Sequence, residues 1–329
     1  MLIRYRKEYF AGEGVHHPWK NSNIDEYYNN PLSDQFEKND LGIGDRWNCW
    51  MGLYSLVKLN RMEHRIQCME KQFPESIFFE FPQTDFISEE EFYSGVDDFK
   101  WFTPKEYAVL ESPAHSNSFK ERARTYPYIF VNHVPLFPYL WLKDRPLHIK
   151  NASPGIEHDL RSLFSDYVSV HVRRYHGIAY TDEDLIELSD ELKEQYKNDA
   201  YYNGCGSWRY VKDRDHFEYM NTFSDDQIFY VATDLDDKYY LNNWKKHFPG
   251  RIVTDKDVCS KFMNILDSHY GRDFVNDNSR LIYQMIDFFA LAYSKQIVAG
   301  RYDSSSVSSY AVAAEKFGSN HINSFVVSD

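Results

Sequence analysis

The sequence predicts an α/β protein of two domains built on parallel sheets, and three observations carry that prediction. A chain of 329 residues exceeds what one core usually holds, since single cores stop growing near ~250–300 residues. Beyond about residue 156, β-branched runs alternate with helical stretches, the order that parallel strands joined by crossover helices impose. Between the two halves, Asn151-Ala152-Ser153-Pro154-Gly155 is a turn cluster suited to a boundary. The expected domains are therefore residues 1–155 and 156–329.

Taken in order, residues 1–40 are polar and rich in Asn, Asp and Tyr, without a sustained period, which predicts irregular chain with one strand at its start. Leu41-Gly42-Ile43-Gly44-Asp45-Arg46 then runs into Trp47, Trp50, Met51, Leu53, Tyr54, Leu56, Val57 and Leu59. Apolar residues at that spacing predict a glycine loop opening a helix. Between residues 63 and 150, the segments 76–81 and 128–134 are strand candidates among Pro-rich and acidic loops. In the second half, residues 167–172 and 227–232 read as buried strands, 182–197 as an acidic helix and 236–247 as another helix. Residues 251–253 then read as a short strand, Ser279–Tyr293 as an apolar helix, 296–299 as a strand and 304–317 as a last helix. No internal repeat and no low-complexity tract interrupts the series.

Composition narrows the function classes. Fifty acidic against 37 basic side chains leave a net charge of −13, which repels a phosphate backbone and excludes nucleic acid as the expected partner. No apolar run approaches the ~20 residues of a membrane span, so no integral membrane segment is expected. Met1 to Lys7 is basic but leads into Glu8, Gly12 and Glu13 rather than an apolar core with a cleavage site. Four cysteines, Cys49, Cys68, Cys205 and Cys259, stand far apart and form neither a zinc spacing nor a disulfide framework. The expectation is a soluble chain in a reducing, cytoplasmic setting. Aromatic residues make up 17% of the chain; such rings fill cores and can also pack on the C–H faces of sugars.

The chemistry-bearing residues cluster in the second half. The strand 167–172 ends in Arg173-Arg174, and in open α/β sheets ligands sit beyond the carboxyl ends of strands. Guanidinium groups make forked hydrogen bonds to phosphate oxygens and keep their charge, so a pair can neutralise a leaving diphosphate without a metal. The same pair could instead bridge to the acidic helix that follows. Asp303-Ser304-Ser305-Ser306 precedes a helix, where hydroxyls and free N–H groups make an anion site, or where one residue simply caps the helix. Asp287 interrupts an apolar helix, and a buried carboxylate needs a partner. That partner could be Arg280, Arg301 or the paired N–H donors of a guanine. Thr233-Asp234 closes a strand. The run Asp234-Leu235-Asp236-Asp237 has the spacing of a divalent-cation site, but that spacing is common by chance, and the favoured reading is that Asp236 and Asp237 cap the following helix as first-turn acids. Gly42 and Gly44, without Cβ atoms, would let backbone approach a ligand, yet they lack the spacing of a Walker loop or a dinucleotide fingerprint.

In this order, the glycine loop and its helix at Leu41 to Leu59, His171-Val172-Arg173-Arg174, Ile228-Phe229-Tyr230-Val231-Ala232-Thr233-Asp234, and residues 278–311 with Asp287 and the serine cluster resemble the α1,6-fucosyltransferases of N-glycan cores and nodulation factors. His216-Phe217-Glu218-Tyr219-Met220 also falls where that family has a related helix. The resemblance is strong over about residues 160–315 and thin in the first half. It implies a GT-B fold of two Rossmann-like domains, with GDP-β-L-fucose bound by the C-terminal one and a glycan or glycoconjugate acceptor met by the N-terminal one. It also implies inversion at the sugar without metal or cofactor. By position, Arg173 and Arg174 would contact the diphosphate, and His171 and Asp287 the nucleoside. Ser305 and Ser306, preceded by Ser304, would meet the β-phosphate beside the Gly42-Gly44-Asp45 loop, while Thr233 and Asp234 shape the crevice. The chain departs from the family after the Arg pair. Tyr175-His176-Gly177-Ile178-Ala179-Tyr180-Thr181 stands where the core enzymes have an acid and then a glutamate proposed as base. Asp182 and Glu183 could take that role, or could only begin a helix as favourable first-turn acids; His176 is a third candidate. A different GDP-sugar, or a binding protein without catalysis, remains compatible with these residues.

Overall fold

The computed structural model describes residues 2–5, 43–59, 65–94, 99–102, 128–131, 147–150, 155–172, 213–233, 238–302, 307–318 and 322–327. The chain divides into two units, Met1–Lys150 and Asn151–Asp329.

The first unit contains β1 (Leu2–Tyr5), α1 (Ile43–Leu59), β2 (Arg65–Met69), β3 (Phe79–Glu80), β4 (Thr84–Ile87), α2 (Glu89–Tyr93), β5 (Phe99–Phe102), β6 (Tyr128–Val131) and β7 (His148–Ile149). Five of its strands form one sheet in the order β4-β2-β1-β6-β5, every pair parallel. β3 and β7 form a separate antiparallel pair, Phe79 against Ile149. Helix α1 buries Trp47, Trp50, Met51 and Leu53. The Trp47 ring meets Phe79 edge-on at 4.6 Å and the Trp50 ring meets Phe81 at 5.0 Å, geometries that ring quadrupoles favour. Beneath them Glu75 is fully buried and held from two sides. Arg46 donates through Nε at 3.0 Å and Nη2 at 2.8 Å, and the Trp47 indole N–H donates at 2.9 Å.

That clasp explains why residues 76–81 are not a single strand. Pro74 opens a 3-10 turn over Pro74–Ile77, its φ already set for the turn, and Glu75 faces inward to Arg46, leaving only Phe79–Glu80 extended. The glycine loop is corrected too: Ile43 and Gly44 already lie in the first turn of α1, while Gly42 lies outside the described residues. The strand expected over 128–134 is described as far as Val131.

The second unit contains α3 (Ile156–Phe164), β8 (Val168–Val172), α4 (Asp213–Met220), β9 (Phe229–Thr233), α5 (Lys238–His247), β10 (Ile252–Val253), α6 (Asp255–Tyr270), α7 (Arg272–Asp277), α8 (Ser279–Tyr293), β11 (Gln296–Tyr302), α9 (Ser309–Gly318) and β12 (Ile322–Val327). Its five strands run in the order β10-β9-β8-β11-β12, all parallel. The protein is thus a mixed α/β chain with parallel sheets. Side chains alternate along β8 as the two-residue period requires. Val168, Val170 and Val172 enter a core with Phe217 and Met220 of α4, Trp244 of α5 and Phe229 and Val231 of β9. On the other face, Ser169 donates to the carbonyl of Ala290 in α8 at 2.9 Å. A sheet covered on both faces needs strands that are apolar almost throughout, and buried Val, Phe and Ala supply them here.

Helix α8 is apolar on nearly every side because it lies in the core, with Ile282, Met285, Ile286, Phe288, Phe289 and Leu291 buried. Phe289 meets Phe262 of α6 at 5.6 Å, and Phe288 meets Phe317 of α9 at 5.5 Å. The end of α9 comes so close to α8 that a Cβ added to Gly318 would stand 1.7 Å from the carbonyl oxygen of Ala292. Arg161 of α3 seals this junction, with Nη2 3.3 Å from the Gly318 oxygen and its guanidinium 4.4 Å from the Tyr293 ring centre.

Helices α6 and α7 were not expected from the residues. The last helix begins at Ser309 rather than 304, with 303–306 outside the described residues; the strand before it runs on to Tyr302 rather than stopping at 299. The helix expected over 236–247 is described from Lys238, and the one over 182–197 lies wholly outside. Cys68 and Cys259 are free thiols. Among the described residues, no helix is long and apolar enough to cross a membrane.

Candidate functional site

In the second sheet the strands run, in chain order within the unit, third, second, first, fourth, fifth. β9 and β10 therefore lie on one side of β8, and β11 and β12 on the other. Crossovers depart in opposite directions from the β8/β11 boundary, which makes it the switch point where open parallel sheets take ligands at their carboxyl ends. The pairing places His171 between Ala232 of β9 and Ala299 of β11. In the sequence Arg173-Arg174 follows the last residue of β8 directly, Asp303-Ser304-Ser305-Ser306 follows the last residue of β11, and Asp234 follows β9. Arg173, Arg174, Asp182, Glu183, Asp234, Ser304, Ser305 and Ser306 themselves lie outside the described residues.

The expected residues that are described fall into three places. His171, half-buried near the end of β8, has its ring 5.8 Å from that of Tyr310 in the first turn of α9. Asp287, half-buried on α8, faces the same side of the sheet. Thr233 pairs with Val172 and so belongs to the opposite face from His171, at the same carboxyl end. Gly44 and Asp45 belong to the first unit, inside α1.

Asp287 has a partner that was not expected. The hydroxyl of Tyr230, the second residue of β9, donates to Asp287 Oδ1 at 2.6 Å, in the range of a charge-assisted O–H···O⁻ bond. Tyr230 is fully buried and lies across the pair from Ser169 in the register of β8 and β9. Its ring meets Phe164 edge-on at 5.8 Å and Tyr167 at 6.3 Å. Burial first, and then the charge of Asp287, push the Tyr230 phenol well above its ordinary value. The Tyr310 phenol is pushed up by the same two causes in the same order, so both remain protonated donors at neutral pH. His171, Tyr230, Asp287 and Tyr310 thus form a polar group on the α8 side of the sheet, toward the switch point.

Reasoning from the residues missed Tyr230 and Tyr310. A signal for Tyr230 was present: it is the only hydroxyl-bearing aromatic in the strand Phe229–Thr233, and Asp287 is the only acid in Ser279–Tyr293. Chemically, the group sets a carboxylate among two phenols and an imidazole.

No family model matches the chain, and no curated protein matches it. Among solved structures, the chain is similar to an Arabidopsis thaliana FUT1 mutant in complex with GDP, at 8% identity and a TM-score of 0.41, over 99% of this chain and 69% of that one. A likeness at that depth bears on neither family nor chemistry.

Proposed function

We propose that the chain is an inverting, metal-independent glycosyltransferase of GT-B type that moves L-fucose from GDP-β-L-fucose to a hydroxyl of a glycan or glycoconjugate. The observation that carries this reading is the switch point between β8 and β11. The strand on one side of it leads directly into an arginine pair and the strand on the other into a run of serines. A pair of guanidinium groups and a set of hydroxyl donors suit a diphosphate, and a carboxylate on α8 suits the N–H edge of a base. The motif order that resembles the α1,6-fucosyltransferases supplies the identity of base and sugar.

In this reading the acceptor oxygen attacks the sugar C1 while its proton passes to a carboxylate, Asp182 or Glu183. The bond from C1 to the β-phosphate oxygen breaks and GDP leaves with the electron pair. Arg173 and Arg174 meet the charge that develops on the departing diphosphate, the place where fixed positive charge lowers a barrier most. Attack from the face opposite the leaving group turns a β-linked donor into an α-linked product. The second unit would bind the donor and the first would read the acceptor.

The test is thermal unfolding of the full chain with GDP, UDP or ADP, each with and without EDTA. Ligand at ~100 times its Kd adds roughly 2.7 kcal/mol of stability. The expected result is a shift with GDP alone, indifferent to EDTA and lost in Arg174→Ala, whose ligand-free midpoint stays at that of the wild type. A shift with UDP that EDTA abolishes would favour the acidic run at Asp234 instead and overturn the reading. Arg174→Ala that still transfers sugar at near-normal turnover would remove the arginine pair from the mechanism.

A further inference from the structure

We propose that Tyr310 is a ligand-contacting residue of the donor site, its phenol O–H donating to an acceptor oxygen of the nucleoside. The inference rests on the GDP-sugar reading above and adds to it a contact that no motif in the sequence points to.

Four observations carry it. First, the place is the switch point. Tyr310 is the second residue of α9, and its ring lies 5.8 Å from that of His171. His171 is the β8 residue paired with Ala299 of β11, toward the carboxyl end where open parallel sheets take ligands. Second, the ring is held firmly without being sealed in. Phe288 of α8 meets it edge-on at 5.8 Å, the Tyr310 backbone N–H donates to Ser308 Oγ at 3.3 Å, and the next residue, Ala311, is fully buried. Tyr310 itself is only half-buried, and a contact residue on a packed element is placed more precisely than one on a loop. Third, two phenols feel the charge of Asp287, but only Tyr230 donates to it. Among the described residues the Tyr310 hydroxyl has no hydrogen-bond partner. A phenol drawn away from water ordinarily finds one, and without one it costs stability that phenylalanine would not. The packing of α9 thus gives no reason for a hydroxyl, whereas a ligand does. Fourth, burial and the Asp287 charge push the Tyr310 phenol well above its ordinary value, so at neutral pH it stays a donor. A lasting donor suits an acceptor oxygen, and the nucleoside of the donor has two kinds: the 6-oxo group of guanine and the ribose hydroxyls. The contact takes no lone pair of Asp287.

The experiment measures binding of GDP, 2′,3′-dideoxy-GDP and inorganic pyrophosphate to the full chain by calorimetry, in the wild type and in Tyr310→Phe, with ADP as control. The substitution keeps the ring against His171 and Phe288 and removes only the hydroxyl, so the ligand-free unfolding temperature is expected to stay at the wild-type value or rise. Affinity for GDP is expected to fall roughly fivefold, the size of one hydrogen bond, while pyrophosphate binds both proteins alike. An equal fall with dideoxy-GDP assigns the acceptor to the 6-oxo group of the base. A dideoxy-GDP affinity indifferent to the substitution assigns it to the ribose. If Tyr310→Phe binds GDP as the wild type does, whether or not its unfolding temperature drops, the hydroxyl meets no ligand and the contact is overturned, with the GDP-sugar reading intact. A loss that pyrophosphate shares in full also overturns it, by placing the hydroxyl at the phosphates. A wild type that binds no GDP, or does not separate it from ADP, overturns both.

Discussion

Removing the Glu75 carboxylate would take from a buried guanidinium the acceptor of two of its N–H bonds. Arg46 is 7% exposed and Glu75 not at all, so neither side chain can turn to water. Breaking such a pair from one side costs about 3–5 kcal/mol, whereas replacing both charges by apolar groups is often close to neutral. Glu75→Gln should therefore lower the urea midpoint of the first unit severely. Arg46→Met with Glu75→Leu should recover most of that loss, falling short by about 1 kcal/mol for the indole N–H of Trp47 that loses its acceptor. The same carboxylate, after burial, pushes the thiol of Cys68 up, which makes this cysteine an inert core residue. Neither the clasp nor the bond between Tyr230 and Asp287 is legible in the sequence. They join residues 29 and 57 positions apart, and nothing in local spacing says which partner a buried polar group will meet. The sequence does say that Asp287 must have one.

Helix α6 shows how an element can be written plainly and still be overlooked. Its stripe of Val258, Phe262 and Leu266, all buried, repeats every fourth residue, but charged residues dilute it, whereas α8 is apolar over most of its length. Its start is marked as well. The carboxylate of Asp257 accepts from the N–H of Thr254 at 2.8 Å and from the Thr254 hydroxyl at 2.9 Å, the reciprocal spacing that seals helix N-termini. Asp257→Ala should cost about 1 kcal/mol, slightly more at low salt because Lys245 stands 3.6 Å away; chemical denaturation at two ionic strengths reads both parts. By contrast β8, β9 and the core of β11 are legible, since runs such as Val168–Val172 are β-branched and short. A strand buried on both faces is drawn mostly from apolar residues. Segment 76–81 misleads for the opposite reason: its phenylalanines suggest a strand, while Pro74 and the inward carboxylate of Glu75 decide for a turn.

For the molecule as a whole, the acid and alkaline limbs of stability should differ. Tyr230 and Tyr310 are pushed well above the ordinary phenol value and Tyr270 up to about 12, in each case by burial first. The unfolded chain releases these protons near pH 10 while the folded one retains them. The unfolded state then binds fewer protons, and stability, intact below about pH 10, falls as pH rises toward the folded values. On the acid side, among the described residues, Asp85 is lowered by its hydrogen bond to Arg65 and Asp226 by that to Ser224. Both lie at the surface, where such gains are small, so stability present above about pH 4 should decline gently as pH falls through their folded values. Unfolding free energy followed from pH 3 to 12, with tyrosinate absorbance recorded alongside, should show a steep alkaline loss in step with late-ionising tyrosines. An alkaline limb no steeper than the acid one would contradict the burial of those phenols. The junction of α3, α8 and α9 bears on a longer timescale. Any single-base change that alters the amino acid at Gly318 installs a Cβ, and a Cβ there collides with Ala292. Drift at that codon is therefore closed to one-step mutation, and lineages descended from this chain should carry glycine there long after the surrounding surface has diverged.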